Sequence, residues 1–507
     1  MSSNARRLVK GSALRMAEFF TVGIVGLVLM PFIIHSLGDK MYGLWIFVGT
    51  FLGYYGLMDF GLSSAIQRFL SRSIGVSNNE EANKVINTSL CIFTILGFVT
   101  LIFSFIIAFI SPLLIKNITD VALFRKIILI LGLNFAIGFP LRVFSGILTA
   151  NLRYDLNTGL ELIKLVFRTI LIIVLLKAGH GIMALTLITF FADISGYIAR
   201  YFVVRHLYKY IVFSRVLIDK SLIKPLFGYS IYTFISDIAD LFRFNLDNLV
   251  ITIFIGLNSV TLYSIASSLV RRFIDFAFSA IGMFTPIFSQ YEARGDYDSI
   301  REKFIFTTKI SSYLSILIGG IIIMFGKPFI QRWVGEQYLD AYPILIVLII
   351  PTIFALMQIP TVQLLFGISK HKFFALSNSL EGVANLVLSI VLVRRYGLMG
   401  VALGTAIPMV IIKLFVQPVY TCRIIKLDIR KYYFEVLATA LFKASTVLLV
   451  FWFLIKSFIF PDYFNLAVFI VMAILLFVVY IFYLGFENHE RSYFKKVVFN
   501  SIFKTNE

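Results

Sequence analysis

Fourteen long apolar stretches occupy most of this 507-residue chain, and only a membrane-spanning fold can accommodate them. Each stretch reaches the roughly 20 residues that a helix needs to cross a hydrocarbon core of about 30 Å. Since lipid offers no hydrogen bonds to the backbone, we predict an all-α integral membrane protein. Composition excludes a soluble protein, with 59% hydrophobic residues, 14% charged residues and a mean hydropathy of +0.91. The predicted spans are 13–35, 41–67, 85–111, 121–148, 157–177, 181–204, 225–255, 259–289, 304–325, 340–366, 373–393, 398–420, 434–456 and 463–485.

The second six spans repeat features of the first six about 220 residues later. Because each half holds an even number of spans, both halves enter the bilayer from the same side. This is a parallel repeat about an axis along the membrane normal, and such repeats bind a substrate between two bundles near the midplane. The pattern therefore predicts a transporter. The recurring features are Pro140 and Pro360, Leu160-Glu161 and Leu380-Glu381, and more faintly Gly38-x5-Leu44-Trp45 and Gly256-x5-Leu262-Tyr263.

The repeat also predicts the domain organisation. We expect an N-terminal six-helix lobe at 1–210, a C-terminal six-helix lobe at 211–425 and two additional helices at 426–485. The longest cytoplasmic connection, about 205–224, would link the lobes. In the tail at 486–507, apolar residues alternate with Lys495 and Lys496 at helical spacing, which is typical of an amphipathic helix on the inner leaflet. A frayed terminus is the alternative for the tail.

The positions of lysine and arginine predict the orientation. Loops and span ends carry 26 of these cations on the side of the termini and 10 on the opposite side. The positive-inside rule then places both termini in the cytoplasm. The net charge of +19 is explained by cations that border apolar helices and rest on anionic lipid. We expect no nucleic-acid binding, because that requires a folded basic face with base-reading groups.

Ionisable residues inside the predicted spans identify the candidate site. Such a residue at the bilayer centre costs about 2.5–3.5 kcal/mol on insertion scales, so it normally faces a partner or a wet cavity. Arginine suits a phosphate ligand, because its planar fork binds phosphate oxygens in pairs. We predict substrate-binding roles for Arg271, Arg272, Arg243, Arg142, Lys164, Arg168 and Arg200. We predict ion-coupling or charge-pair roles for Glu18, Asp59, Asp193, Asp237, Asp240, Asp247, Asp275 and Glu161.

Spans seven and eight carry the strongest group of charges. Arg243 lies three residues after Asp240 and four before Asp247, so the three share one helical face, and structural ion pairs are the alternative there. Arg271 and Arg272 point about 100° apart. We therefore expect that one carboxylate does not satisfy both, which leaves one guanidinium for an anion.

Alternatives stay open for the other charged residues. Glu161, Lys164 and Arg168 follow steps of three and four, which is also typical of a local helix-stabilising set. Arg142 and Glu18 suit either a cavity or a core ion pair. Three further lysines are expected to snorkel to an interface, namely Lys309, Lys413 and Lys443. The five histidines lie on different loops and no nucleotide-binding motif is present, so we expect no cofactor or metal and leave proton or sodium coupling open.

Two motifs carry a family resemblance. The stretch LGDKMYGLW at 37–45 followed by LMDFGLSSA at 57–65, and DNLVI at 247–251 with Gly256 and Tyr263, resemble the polysaccharide-exporting, O-antigen flippase family of the MOP exporter superfamily. The resemblance implies a two-lobed transporter in the bacterial inner membrane. It would move undecaprenyl-pyrophosphate-linked oligosaccharide from the cytoplasmic to the outer leaflet by alternating access through a cationic central cavity. Membrane lipids, and a polymerase with other glycan-assembly proteins, would be its partners.

Three other functions remain as alternatives. A lipid II flippase and a multidrug or cation antiporter share the fold that the resemblance implies. A membrane glycan polymerase or ligase is the enzymatic alternative. Such an enzyme would be expected to use a sizeable outer loop bearing Arg, His or carboxylates, whereas the predicted outer loops here are short. We therefore expect a protein that is not an enzyme.

Overall fold

In the computed structural model, the described part of the chain consists of helices joined by turns and short irregular segments, with no β-strand. The structure describes residues 3–76, 78–115, 117–228, 230, 234, 246–281, 284–368, 370–458, 460, 462–487 and 491. Within these residues the all-α prediction is confirmed. The chain separates into two compact units, Met1–Thr261 (unit one) and Leu262–Glu507 (unit two). The lobe boundary expected near 210 stays a prediction.

Unit one is built from long helices joined by short turns. Two short 3₁₀ turns, Arg215–Leu217 and Lys220–Leu222, follow its sixth helix. Its aromatic core includes Phe47, Phe51 and Phe124, whose ring centroids lie 5.2–5.6 Å apart. The helices are α1 (Ser3–Leu57), α2 (Leu62–Gly75), α3 (Asn79–Leu114), α4 (Ile118–Ala150), α5 (Tyr154–Lys177), α6 (Ile182–Leu207) and α7 (Leu246–Phe254), and α8 (Leu257–Ile281) begins in this unit.

Unit two continues from α8 and includes three stretches of wider π-helix. Its core includes a stacked pair, Phe304 and Tyr432, with ring centroids 5.5 Å apart. The helices are α9 (Thr285–Ala293), α10 (Tyr297–Trp333), α11 (Ala341–Met357), α12 (Ile359–Gly367), α13 (His371–Val410), α14 (Gln417–Ile424), α15 (Thr439–Ile455) and α16 (Tyr463–Tyr480). The π-helical stretches are Ile411–Val416, Lys431–Ala438 and Ile481–Gly485.

Nine helices in the described part of the chain are long and apolar enough to cross a membrane. The membrane class is therefore confirmed, while the count of fourteen spans stays a prediction. α5 is not among the nine, because Glu161, Lys164 and Arg168 interrupt its apolar sequence. Several predicted spans are also joined or broken in ways that hydropathy does not reveal.

Four glycines with positive φ give the sequence repeat a backbone counterpart. Gly38 (φ 75°) and Gly397 (φ 56°) each separate two helical segments inside α1 and α13. Gly256 (φ 136°) lies between α7 and α8, and Gly179 (φ 81°) follows α5. Gly38 precedes Gly256 by 218 residues, and Gly179 precedes Gly397 by the same number. Since side chains rarely adopt these angles, both pairs mark equivalent turns. The second pair was missed in the sequence.

Two predicted spans are broken near their ends. The span expected at 41–67 breaks after α1, where Phe60 (φ 50°) and Gly61 (φ 71°) turn the chain into α2. The span expected at 340–366 breaks at Gln358, and Pro360 follows in the first turn of α12. Proline is tolerated there because the first helical N–H groups have no intrahelical partner.

The connection after α6 is hydrogen-bonded to α3. The side chain of Asn83 donates to the carbonyl of Tyr210 and accepts from the backbone N–H of Val212, at 3.0 and 2.9 Å. Asn87 pairs in the same way with Val212 and Ser214 at 2.8 and 2.9 Å. These bonds satisfy an irregular backbone segment and attach it to unit one.

Close helix packing in unit one leads to a first prediction. A Cβ atom on Gly97 of α3 would lie 2.5 Å from the carbonyl oxygen of Ala136 on α4, so the backbones approach too closely for a methyl group. We expect Gly97→Ala to destabilise the protein by about 1–3 kcal/mol through overpacking. Gly49→Ala is the matched control, because a Cβ atom there meets nothing within 4 Å. Thermal unfolding in detergent measures both, and equal midpoints would contradict the packing.

Candidate functional site

A lysine between two carboxylates joins α5 to α6 in unit one. Lys164 Nζ lies 2.8 Å from Glu161 Oε2 on its own helix and 3.2 Å from Asp193 Oδ1 on α6. Asn134 of α4 donates from Nδ2 to the other oxygen of Asp193 at 2.9 Å. Three helices thus converge on one polar network inside an apolar bundle.

Arg200 also belongs to this network, through its contact with Glu161. Its guanidinium pairs with Glu161, and its Nε donates to Asn157 Oδ1 at 2.8 Å. The side chain of Arg200 is only 4% exposed, whereas that of Glu161 is 33% exposed. Arg200 is therefore held by protein groups in a buried ion pair. Its predicted contact with substrate stays a prediction.

Glu18 and Arg168 complete what we name the unit-one charge cluster. Glu18 is partly buried on α1 and interacts electrostatically with Glu161, Lys164 and Arg200. Arg168, also partly buried, interacts with Asp193. Three carboxylates and three cations make up this group, and Arg15 also interacts electrostatically with Glu18. The cluster consists of Glu18, Glu161, Lys164, Arg168, Asp193 and Arg200.

Arg142 of α4 lines a cavity of about 240 Å³ in unit one. Its guanidinium carbon lies 4.7 Å from the ring centroid of Phe139 and 5.4 Å from that of Phe135. Cation–π contacts of this kind hold an arginine without consuming its hydrogen-bond donors. The polar wall of the cavity consists of Ser63, Ser64, Gln67, Ser145 and Thr149. The structure thus places Arg142 beside polar side chains that line a cavity.

Asp59 lies at the break between α1 and α2, beside this cavity. It accepts from the backbone N–H of Ser63 at 3.3 Å and from Ser63 Oγ at 3.1 Å. It also interacts electrostatically with Arg142. The two interpretations of Arg142 are therefore not exclusive, since the cavity contains a cation with an acid nearby.

Arg271 and Arg272 lie on the part of α8 that belongs to unit two. Arg271 Nε is 3.5 Å from Asp275 Oδ1, and Arg272 Nη1 is 4.0 Å from Asp275 Oδ2. One carboxylate lies near both guanidinium groups, because residues three and four positions along a helix lie on either side of the same stripe. Both distances are long, and the side chains remain 55% and 38% exposed. Two cations therefore share one carboxylate here.

The charges predicted on span seven are described only in part. Asp247 lies on α7 and is 7% exposed. Asp237, Asp240 and Arg243 lie outside the described residues, so the facing stripes of spans seven and eight stay a prediction. Among the described residues, no group of three or more His, Cys, Asp or Glu side chains could hold a metal ion.

A buried ion pair in unit two was missed in the sequence. Lys413 was expected to snorkel, but it is 3% exposed and its Nζ lies 3.3 Å from Glu381 Oε2. That expectation is wrong, because the π-helical stretch turns this side chain into the bundle against α13. The recurrence of Glu161 as Glu381 was the available signal. Of the other two lysines, Lys309 lies 3.4 Å from Glu487 and Lys443 is partly buried.

Comparison with known families decides the identity. A sequence model of a family described as polysaccharide biosynthesis protein matches residues 42–343, which is more than half of the chain. The chain belongs to this family. The resemblance found in the motifs at 37–65 and 247–263 is thereby confirmed.

Two relatives cover most of the chain at low identity. A protein of Shigella flexneri named "Putative O-antigen transporter" is 24% identical over 426 residues, which are 82% of this chain and 98% of that protein. The uncharacterized membrane protein EpsK of Bacillus subtilis is 21% identical over 401 residues, which are 78% of this chain and 79% of that protein.

Solved transporters of the MOP superfamily share the fold. A multidrug resistance MATE family transporter in an inward-facing conformation gives a TM-score of 0.68 at 16% identity, covering 82% of this chain and 98% of that one. The lipid II flippase MurJ gives 0.67 at 15% identity, covering 98% of this chain and all of MurJ. At these identities the likeness shows the fold alone.

Proposed function

We propose that this chain is a flippase that moves undecaprenyl-pyrophosphate-linked oligosaccharide from the cytoplasmic to the outer leaflet by alternating access. The observation that carries the proposal is the pair Arg271 and Arg272. These two adjacent guanidinium groups stay partly exposed on a helix of a chain that belongs to the polysaccharide biosynthesis family. Two neighbouring guanidinium groups suit a diphosphate headgroup, because each binds phosphate oxygens in pairs.

The Arg142 cavity supports the same substrate class. One guanidinium with hydroxyl and amide groups around it offers donors and acceptors for phosphate oxygens or sugar hydroxyls. The polyprenyl tail would remain in the bilayer while the polar head crosses. The membrane potential assists this direction, because moving two negative charges outward releases up to about 4.6 kcal/mol per 100 mV if no countercharge moves. Should a cation be coupled, Glu18, Asp59 and Asp193 are the candidate carboxylates.

The alternative functions differ in the charge of the substrate that is transported. A multidrug or cation antiporter carries cations, and the two adjacent arginines on α8 disfavour that cargo. A lipid II flippase also carries a diphosphate lipid, so the arginines on α8 do not distinguish it from the proposed function. Family membership favours the oligosaccharide lipid over lipid II.

Reconstituted vesicles test the proposal. We expect the purified protein to move a fluorescent undecaprenyl-diphosphate oligosaccharide across the bilayer, at least tenfold faster than protein-free vesicles do, and to leave a cationic dye where it is. Lipid II is the third substrate. Movement of the dye alone, or of lipid II in preference to the oligosaccharide, would overturn the assignment.

A further inference from the structure

The Lys413–Glu381 pair lies entirely within unit two and has no role in the proposed transport of lipid-linked sugar. Both side chains are almost completely buried, at 4% and 3% exposure. Burying an isolated charge has a large cost in desolvation free energy. A buried ion pair is therefore stable where further polar groups hydrogen-bond to it. The surroundings of the ammonium show how this pair is completed.

Three oxygens and one aromatic face surround Lys413 Nζ. Glu381 Oε2 lies at 3.3 Å, Asn378 Oδ1 accepts a hydrogen bond, and Gln417 Oε1 accepts another at 3.4 Å. The ring centroid of Phe374 lies 5.1 Å away, within cation–π range. An ammonium has three N–H donors and no acceptor, so acceptor oxygens are the groups that suit it.

The two amide side chains are themselves held in place. Gln417 Nε2 donates to Asn378 Oδ1 at 3.0 Å and to Ser377 Oγ at 2.9 Å, which directs Gln417 Oε1 toward the lysine. The lysine comes from the π-helical stretch Ile411–Val416, a wider turn of a kind often found at functional sites. Carboxylate and amide oxygens are the kinds of ligand that hard cations bind, and here a second layer of hydrogen bonds orients the amides.

We propose that Glu381, Asn378 and Gln417 form a monovalent-cation site, and that the Lys413 ammonium occupies it permanently. The Lys413 ammonium fills a cage made by Glu381, Asn378 and Gln417, in the position that a free cation of similar size would otherwise take. Unit two thus supplies its own cation at this point and needs none from solution there. The proposal does not depend on which lipid the protein moves.

Removal of the lysine tests this proposal. Lys413→Ala leaves the three oxygens around an empty space of ammonium size. In choline chloride, whose cation is too large to enter, we expect the thermal midpoint of the variant to fall by about 5 °C or more. Methylammonium or K⁺ at the same ionic strength should restore at least half of this loss, because a ligand that binds only the folded state stabilises it. The wild type should respond much less, because its cage is filled.

Glu381→Gln in the Lys413→Ala background is the matched control. It removes the anionic oxygen while keeping the shape, and the restoration by methylammonium and K⁺ should disappear. Equal midpoints of Lys413→Ala in all three salts would overturn the proposal and leave an ordinary ion pair. If Lys413→Ala cannot be purified in choline, recovery is the readout. Recovery of monodisperse protein only with K⁺ or methylammonium supports the cage, and loss in every salt refutes it.

Discussion

Replacing both Arg271 and Arg272 with glutamine is expected to reduce export of lipid-linked glycan at least tenfold while membrane insertion stays normal. Both guanidinium groups lie near Asp275, at 3.5 and 4.0 Å, and both side chains are partly exposed. Glutamine keeps most of the length but loses the charge and the fork that bind a diphosphate in pairs. A loss of 1.4 kcal/mol of binding energy corresponds to about tenfold, and a charge-assisted contact is worth roughly that or more.

A second adjacent arginine pair provides the control for this experiment. Arg394 and Arg395 are also exposed and consecutive, and Arg395 contacts the ring of Tyr396. Glutamine at both of these positions removes the same formal charge, so export should stay within about twofold of the wild type, as is usual for surface changes. Vesicle flipping and complementation of an export-deficient strain both measure the effect. Wild-type export by the Arg271 and Arg272 double variant would remove the main site assignment.

Arg200→Met is expected to lower the free energy of unfolding by about 2–4 kcal/mol. Removal of one partner leaves the other charge without compensation, and breaking a buried pair costs about 3–5 kcal/mol. The expected loss is about 1 kcal/mol below that range, because Glu161 keeps a third of its side chain exposed and solvent screens the pair. Asn157 would also lose the donor that reaches its Oδ1 at 2.8 Å. Thermal or denaturant unfolding in detergent provides the measurement.

A double-mutant cycle identifies the partner. Adding Glu161→Gln to Arg200→Met removes the uncompensated carboxylate, so the double variant should lose clearly less than the sum of the single variants. Arg395→Met, at an exposed arginine, should change stability by about 0.5 kcal/mol at most. Additive losses from Glu161→Gln and Arg200→Met would show that the two residues do not stabilise the fold as a pair.

Hydrophobic content and the internal repeat were readable without a structure. The length and apolarity of a segment indicate whether lipid or water surrounds it, so the sequence predicted a helical membrane protein directly. The correspondence of Gly38 with Gly256 was also visible, because a position that needs positive φ retains glycine. Motifs around Gly38 and Asp247 were sufficient to identify the family. The groups Glu161 with Lys164 and Arg271 with Asp275 followed from helical spacing alone, since residues three and four apart are neighbours on one helix.

Contacts between helices were decided only by the tertiary structure. The spacing within α5 does not reveal that Lys164 also meets Asp193 on α6, or that Arg200 meets Glu161. Lys413 had the same sequence signature as a snorkelling lysine, and a local π-helical stretch decided that it is buried against Glu381. The physical reason is that hydropathy reports the environment of a segment averaged over its length. The partner of one charge depends on helix rotation and packing, which only the fold determines.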